Sequence, residues 1–159
     1  MADRTFSECE LLGRNKCTEY FPEYTYDYTQ DPYCPYDFTS TATTNPDRTY
    51  VGEIKYYIED KSSEYYRPHD KFKDYQIDYD KLKKVETEAL ARNGVPVLVV
   101  FFSDSTYVWN LTEDKEWEDN KRWVWTNAEG VNYGRKTLSL QSYLNFNKAI
   151  YVGGRDRWQ

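Results

Sequence analysis

The segment QIDYDKLKKVETEALARNGVPVLVVFF, residues 76–102, runs from a helix pattern straight into an apolar strand pattern. Asp78 stands as the N-cap, Leu82, Val85 and Ala89 recur at helical spacing, and Asn93-Gly94 closes the helix. Residues 95–102, VPVLVVFF, carry no polar side chain, which predicts a strand buried on both faces. A strand entered directly from a helix is a crossover into the middle of a sheet. The simplest packing for such a chain is therefore a mixed central sheet with helices against it.

The flanking segments supply the remaining layers. Residues 4–16 read as a short helix with Phe6, Cys9 and Leu12 or Gly13 on one side, closed by GRNK. Tyr24, Tyr26 and Tyr28 alternate with polar residues as an edge strand that Pro32 and Pro35 interrupt. YDFTSTATT, residues 36–44, is rich in strand formers; NPD, residues 45–47, is a turn signal; RTYVGEIKYYIE, residues 48–59, is the next strand. KSSEYYRPHDKFKDY is expected to be loop. Beyond residue 102, SDS turns the chain into TYVWNL, which pairs back as a hairpin. Residues 112–121 read as polar loop, RWVWTN as another strand, and YGRKTLSLQSYL as a segment containing TLSL and a short turn. KAIYV is a terminal strand or tail. No internal repeat is visible.

At 159 residues the chain fits one domain, 1–159, with a single core. Seventeen tyrosines, 7 phenylalanines and 5 tryptophans must provide much of that core, with their polar tips satisfied by partners or water. No apolar run approaches the roughly 20 residues that span a bilayer, and MADRTFSECELLG lacks a signal-peptide layout, so a soluble, intracellular protein with no membrane partner is expected. Cys9, Cys17 and Cys34 fit neither a metal knuckle nor a disulfide framework and read as free thiols. The single histidine, His69, cannot build a His-rich zinc site and reads as an exposed loop residue. EDKEWED lacks calcium-loop spacing. A net charge of −6 argues against nucleic-acid binding through bulk charge. Local basic groups exist nevertheless at Lys71 and Lys73, at Lys81, Lys83 and Lys84, at Arg135 and Lys136, and at Arg155 and Arg157.

GEIK, residues 52–55, places a glutamate and a lysine two residues apart within a strand. If Asn45 centres the preceding turn, paired residues have numbers that sum to 90, and Asp37 faces Glu53. Directly opposed like charges repel. Period-2 geometry then puts Asp37, Glu53 and Lys55 on one face, with Tyr36, Phe38 and Ile54 on the other. Two carboxylates are hard ligands suited to Mg²⁺, which is typically held by one or two carboxylates together with substrate phosphate. A lysine beside them can position water or offset developing negative charge. As a plain polar strand face, the same residues would form only an ion-pair cluster.

The layout resembles the PD-(D/E)XK nuclease superfamily, whose αβββαβ core places an Asp at the start of the second strand and Glu-x-Lys on the third. The match is Asp37 in PYDF, Glu53-Ile54-Lys55 in GEIK, the helix YQIDYDKLKKVETEAL and the strand VPVLVVFF, within a core of about residues 4–111 followed by an extension, 112–159. The likeness is to restriction-endonuclease-like and Holliday-junction-resolvase-like members of bacteria and their phages. Pro46-Asp47 lies too close to Glu53 to reach it across the hairpin, so Asp47 is assigned to the turn and Asp37 to the site. The resemblance implies an α/β (α+β) restriction-endonuclease-like fold and Mg²⁺- or Mn²⁺-dependent hydrolysis of DNA. Asp37 and Glu53 would hold the metal, and Lys55 would act on the attacking water. A first-helix acid, Glu8 or Glu10, would join the metal; Gln76 or Lys81 would assist from near the second helix, with Glu10 and Lys81 preferred. DNA is the implied partner, a homodimer an admissible assembly, and the cytoplasm of a bacterial or phage-infected cell the implied setting. The alternative is a catalytically inactive relative acting as a binding or assembly module.

Overall fold

Two parallel neighbouring strands cannot be joined by a tight turn, so everything between them must cross over one face of the sheet. In the computed structural model, which describes residues 6–29, 31, 33–57, 74–102, 105–127 and 136–154, this crossover organises the chain. Helix α1 (Phe6–Tyr20) is followed by β1 (Tyr24–Tyr28), β2 (Phe38–Ala42) and β3 (Asn45–Tyr56). Strand β4 (Asp74–Asp78) leads directly into α2 (Tyr79–Ala91), and then come β5 (Val95–Phe101) and β6 (Ser105–Asn110). A one-turn helix, α3 (Glu116–Asp119), precedes β7 (Lys121–Asn127) and β8 (Lys136–Asn145), and a 3₁₀ turn (Phe146–Lys148) precedes β9 (Ile150–Gly154).

The strands form a six-stranded mixed sheet, β1-β2-β3-β5-β6-β9, and a separate three-stranded sheet, β4-β8-β7. β3 and β5 run parallel, Tyr50 beside Val95 through Tyr56 beside Phe101, and every other pairing is antiparallel. As its apolar run predicts, β5 is buried on both faces. Leu98 and Val100 enter a large core with Leu82, Val85 and Ala89 of α2 and with Tyr75, Ile77 and Leu144 of the smaller sheet. Val97, Val99 and Phe101 enter a second cluster with Cys17 of α1 and Phe38. The aromatic content fills the large core: Tyr75, Phe102, Tyr107, Trp109 and Phe146 sit ring against ring, and the buried indoles of Trp109 and Trp117 donate to the carbonyls of Asn145 and Leu111.

Several expectations change. GRNK does not end α1, which continues to Tyr20, because Gly13 is the point where the helix meets β3: a Cβ there would stand 2.8 Å from Ile54 Cγ2. The turn after β2 is Thr43–Thr44, and NPD already belongs to β3. The register sum of 90 nevertheless holds from Phe38 to Thr41, because a bulge between Thr41 and Ala42 absorbs the extra residues of β3. YQID forms β4 instead of helix; Asp78 is the N-cap position, but its carboxylate accepts from the Gln141 amide rather than from the helix. The stretch read as acidic loop carries α3 and the fully buried Trp117. Cys17 and Cys34 are free. No helix among the described residues is long and apolar enough to cross a membrane. His69, Lys71, Lys73, Arg135, Arg155 and Arg157 lie outside the described residues.

Gly52, beside the charged residues of β3, is pressed against the Phe38 ring, into which a Cβ would project. Gly52→Ala is expected to destabilise the fold by about 1–3 kcal/mol. Thermal unfolding should show that loss reduced when Phe38→Leu is combined with it; an additive loss would refute the contact as its cause.

Candidate functional site

Asp37 sits in the bend just before β2, clamped on three sides. Its N–H donates to the Gly52 carbonyl at 2.8 Å, its carbonyl accepts from Thr29 N–H at 3.1 Å, and its Oδ2 accepts from Ile54 N–H at 2.7 Å. It is thus tied to the middle of β3 by both backbone and side chain, although it is not a regular ladder partner of Glu53. Tyr36, one residue earlier, leaves the strand pattern altogether. Its ring lies under the Arg92 guanidinium, 5.0 Å from centroid to Cζ, and packs against the large core rather than beside Phe38. The expected placement of Tyr36 with Phe38 and Ile54 fails because the chain bends there and period-2 alternation no longer applies.

Glu53 and Lys55 project from β3 on the face opposite Phe38 and Ile54, beneath α2. Glu53 is 7% exposed, and a buried carboxylate without partners would cost several kcal/mol. Its partners are two ammonium groups: Lys55 Nζ stands 3.7 Å and Lys81 Nζ 3.5 Å from the same Oε1. Lys81 reaches it from the first turn of α2, so β3, the bend before β2 and the start of α2 converge on one point.

The electrostatics follow from that crowding. Burial, and then the charge of Glu53 together with a hydrogen bond to it, push Asp37 up to about 6, while Ile54 N–H and Lys55 pull the other way. Lys55 is pushed down, by burial first and also by Lys81, against the favourable fields of Glu53 and Asp37. Two hard carboxyl groups held together against their mutual repulsion form a donor set suited to Mg²⁺ or Mn²⁺, provided that substrate or water supplies the remaining oxygens. Among the described residues no three acidic, histidine or cysteine side chains converge as a cation site.

Asp37, Glu53, Lys55 and Lys81 are therefore brought together. Glu10 is occupied otherwise: it pairs with Arg14 at 3.2 Å along α1, the helix packed on the Cys17 side of the sheet. Glu8 is exposed on the same helix. Gln76 lies on β4, where Tyr143 Oη donates to it at 3.4 Å. Two residues around the first turn of α2 belong to no motif in the sequence. Tyr79, in the same turn as Lys81, donates to Glu118 at 2.9 Å, and Lys121 of β7 lies 4.3 Å over the Tyr79 ring. The contact of α3 with Tyr79 through Glu118 and the start of β7 two residues after α3 bring Lys121 there.

With its geometry described, the chain can be set beside known proteins. Its fold is similar to that of Archaeoglobus fulgidus Hjc, a Holliday junction resolvase from an archaeal hyperthermophile, with a TM-score of 0.50 and 8% identity, over 92% of this chain and 99% of that one. No protein-family model matches the chain, and no curated protein is similar to it in sequence. At that identity the likeness is one of fold: a mixed central sheet flanked by helices.

The Asp37 shift has a stability consequence. With a folded pKa of about 6 against an ordinary 3.8, the folded state holds more protons in that window, so stability falls as pH rises from about 4 to about 6 and stays lower above it. Asp37→Asn keeps an acceptor for Ile54 N–H and removes the charge. Without divalent metal it should therefore be more stable than wild type by on the order of 1–3 kcal/mol at pH 7.5 and nearly equal at pH 4. Denaturant unfolding at the two pH values checks this; no gain at pH 7.5 would refute the cost of holding a buried, charged Asp37 beside Glu53.

Proposed function

We propose that this chain is a divalent-metal-dependent nuclease that hydrolyses phosphodiester bonds of DNA. The observation that carries the reading is the buried Asp37–Glu53 carboxyl pair with Lys55 against it, in a fold similar to that of a Holliday junction resolvase. Asp37 and Glu53 would hold a Mg²⁺ or Mn²⁺ ion, whose chemistry there would be polarisation of the phosphodiester and a more acidic bound water near neutral pH. Ile54 N–H holds Asp37 in place, so that carboxylate needs little reorganisation. Lys55, its proton loosened by burial and by Lys81, orients the attacking water and offsets the charge growing on the phosphate. Lys81 secures the Glu53 carboxylate and is within reach of an incoming phosphate from the helix turn above it. The bacterial or phage setting and cytoplasmic location implied by the sequence resemblance belong to the same proposal, as does a homodimer on DNA.

Cleavage of DNA in the presence of Mg²⁺ should be abolished by chelation and should fall at least about 100-fold in Glu53→Gln and in Lys55→Ala, with thermal unfolding confirming that both variants fold. Cleavage that survives in either variant would refute the roles assigned. A wild type inactive on duplex, branched and single-stranded DNA would leave the cluster as a structural set of ion pairs.

A further inference from the structure

We propose that the β7–β8 ribbon is a stacking platform for unpaired nucleotides, so that the substrate is DNA with unpaired or unstacked bases next to the cleavage site. This inference rests on the proposed action on DNA and names the class of DNA. β7 pairs with β8 so that Trp123 lies beside Leu140, Trp125 beside Leu138 and Asn127 beside Lys136. Alternation puts Lys121, Trp123 and Trp125 on one face with Leu138, Leu140 and Lys136. Trp123 and Trp125 are each 65% exposed and Leu138 is 49% exposed, an apolar strip open to water in a chain that buries Trp109 and Trp117 completely.

Charge decides what covers the strip. The chain carries net charge −6, yet β7 and β8 contain Lys121, Arg122 and Lys136 and no acidic residue. Lys121 and Lys136 bracket the tryptophans, one at each end. A second copy of the ribbon would bring like charges together, whereas a polyanion with apolar faces meets both parts. Residues two apart on a strand are about 6.8 Å apart, twice the roughly 3.4 Å spacing of stacked bases, which leaves room for one base between the two indoles. Duplex bases are already stacked on each other, so the strip favours unpaired ones.

The ribbon also begins beside the first turn of α2. Lys121 lies over Tyr79, and Tyr79 and Lys81 share the first turn of α2, from which Lys81 reaches Glu53. A strand seated on the tryptophans would leave the ribbon at that turn.

The test uses the full chain in EDTA, so that binding is read without cleavage. The probes are a labelled duplex with a five-nucleotide single-stranded gap and a fully paired duplex of the same sequence, read by anisotropy and tryptophan quenching. Trp123→Ala/Trp125→Ala should weaken binding of the gapped probe at least about tenfold and change duplex binding less than about twofold. Trp123→Phe/Trp125→Phe should restore most of the loss. Lys121→Ala/Lys136→Ala should weaken both probes and flatten the salt dependence. Unchanged gapped binding in the Ala pair, an equal loss on both probes, or a wild-type dimer that the Ala pair converts to monomer would each overturn the inference. Selective binding by a chain that cleaves nothing with Mg²⁺ would refute the nuclease reading alone; cleavage without selective binding would refute the platform alone.

Discussion

The parallel pairing of β3 with β5 is the constraint on which the rest depends. It obliges the chain to leave the sheet after Tyr56, build α2 and return through Val95. The helix then covers the face of β3 that carries Val51, Glu53 and Lys55. An exposed strand could wear Glu-x-Lys at no cost, but under a helix the same residues must find charged partners or distort the core. Lys81 at the start of α2 is such a partner, and the bend that brings Asp37 to Ile54 N–H adds a second carboxyl to the same point. The site is thus a by-product of topology in position and a departure from good packing in content.

That departure is partly compensated. Glu53 is shared by two ammonium groups, yet Asp37 stays above its usual range and Lys55 below its own, each mainly because of burial. A purely structural ion-pair cluster would be expected to settle its members near full ionisation, as Lys83 does where it bridges Glu86 and Glu118 and is pushed up by their hydrogen bonds. The two clusters, both against α2, thus differ in what dominates: burial in one, hydrogen-bonded pairing in the other.

The large elements were legible because they follow from periodicity: α2, the doubly buried β5, the β5–β6 hairpin and the register of β2 with β3. The register argument reached the right pairing through a turn placed too late; three added β3 residues and a bulge gave the same sum. What was not legible depends on distant partners. YQID has both helical and strand content, and its pairing with β8, some 65 residues later, decides for strand. Trp117 sits in a mostly acidic segment, and its burial depends on Tyr79 and Lys83 of α2, on Leu111 and on Ser142 of β8, none of them local to it in the pattern. In the site, Glu53 and Lys55 share a face of β3 as period-2 spacing implies, while Asp37 reaches them through the bend held by Ile54 N–H rather than as the ladder partner expected. Lys81 is preferred to Gln76 from the sequence, and β4 supplies the physical separation, since it takes Gln76 onto a strand while Lys81 stands on α2.

The smaller sheet also bears on where positive charge sits in an acidic chain. Of the three lysines at the start of α2, Lys83 is committed to Glu86 and Glu118, and Lys84 pairs with Asp80 at 3.1 Å. The helix therefore offers less positive field than its sequence suggests. Lys121 and Arg122 instead lie over the rings of Tyr79 and Tyr143, each 4.3 Å from the centroid, arrangements that leave the charge outward and the aromatic body beneath. Screening confines such fields to about 8–10 Å at physiological salt, so net charge matters less than what lies within that distance of the cluster. Within the cluster itself the positive charge comes from Lys55 and Lys81, and the sheet β4-β8-β7 adds Lys121 and Arg122 as a separate basic element of an acidic chain.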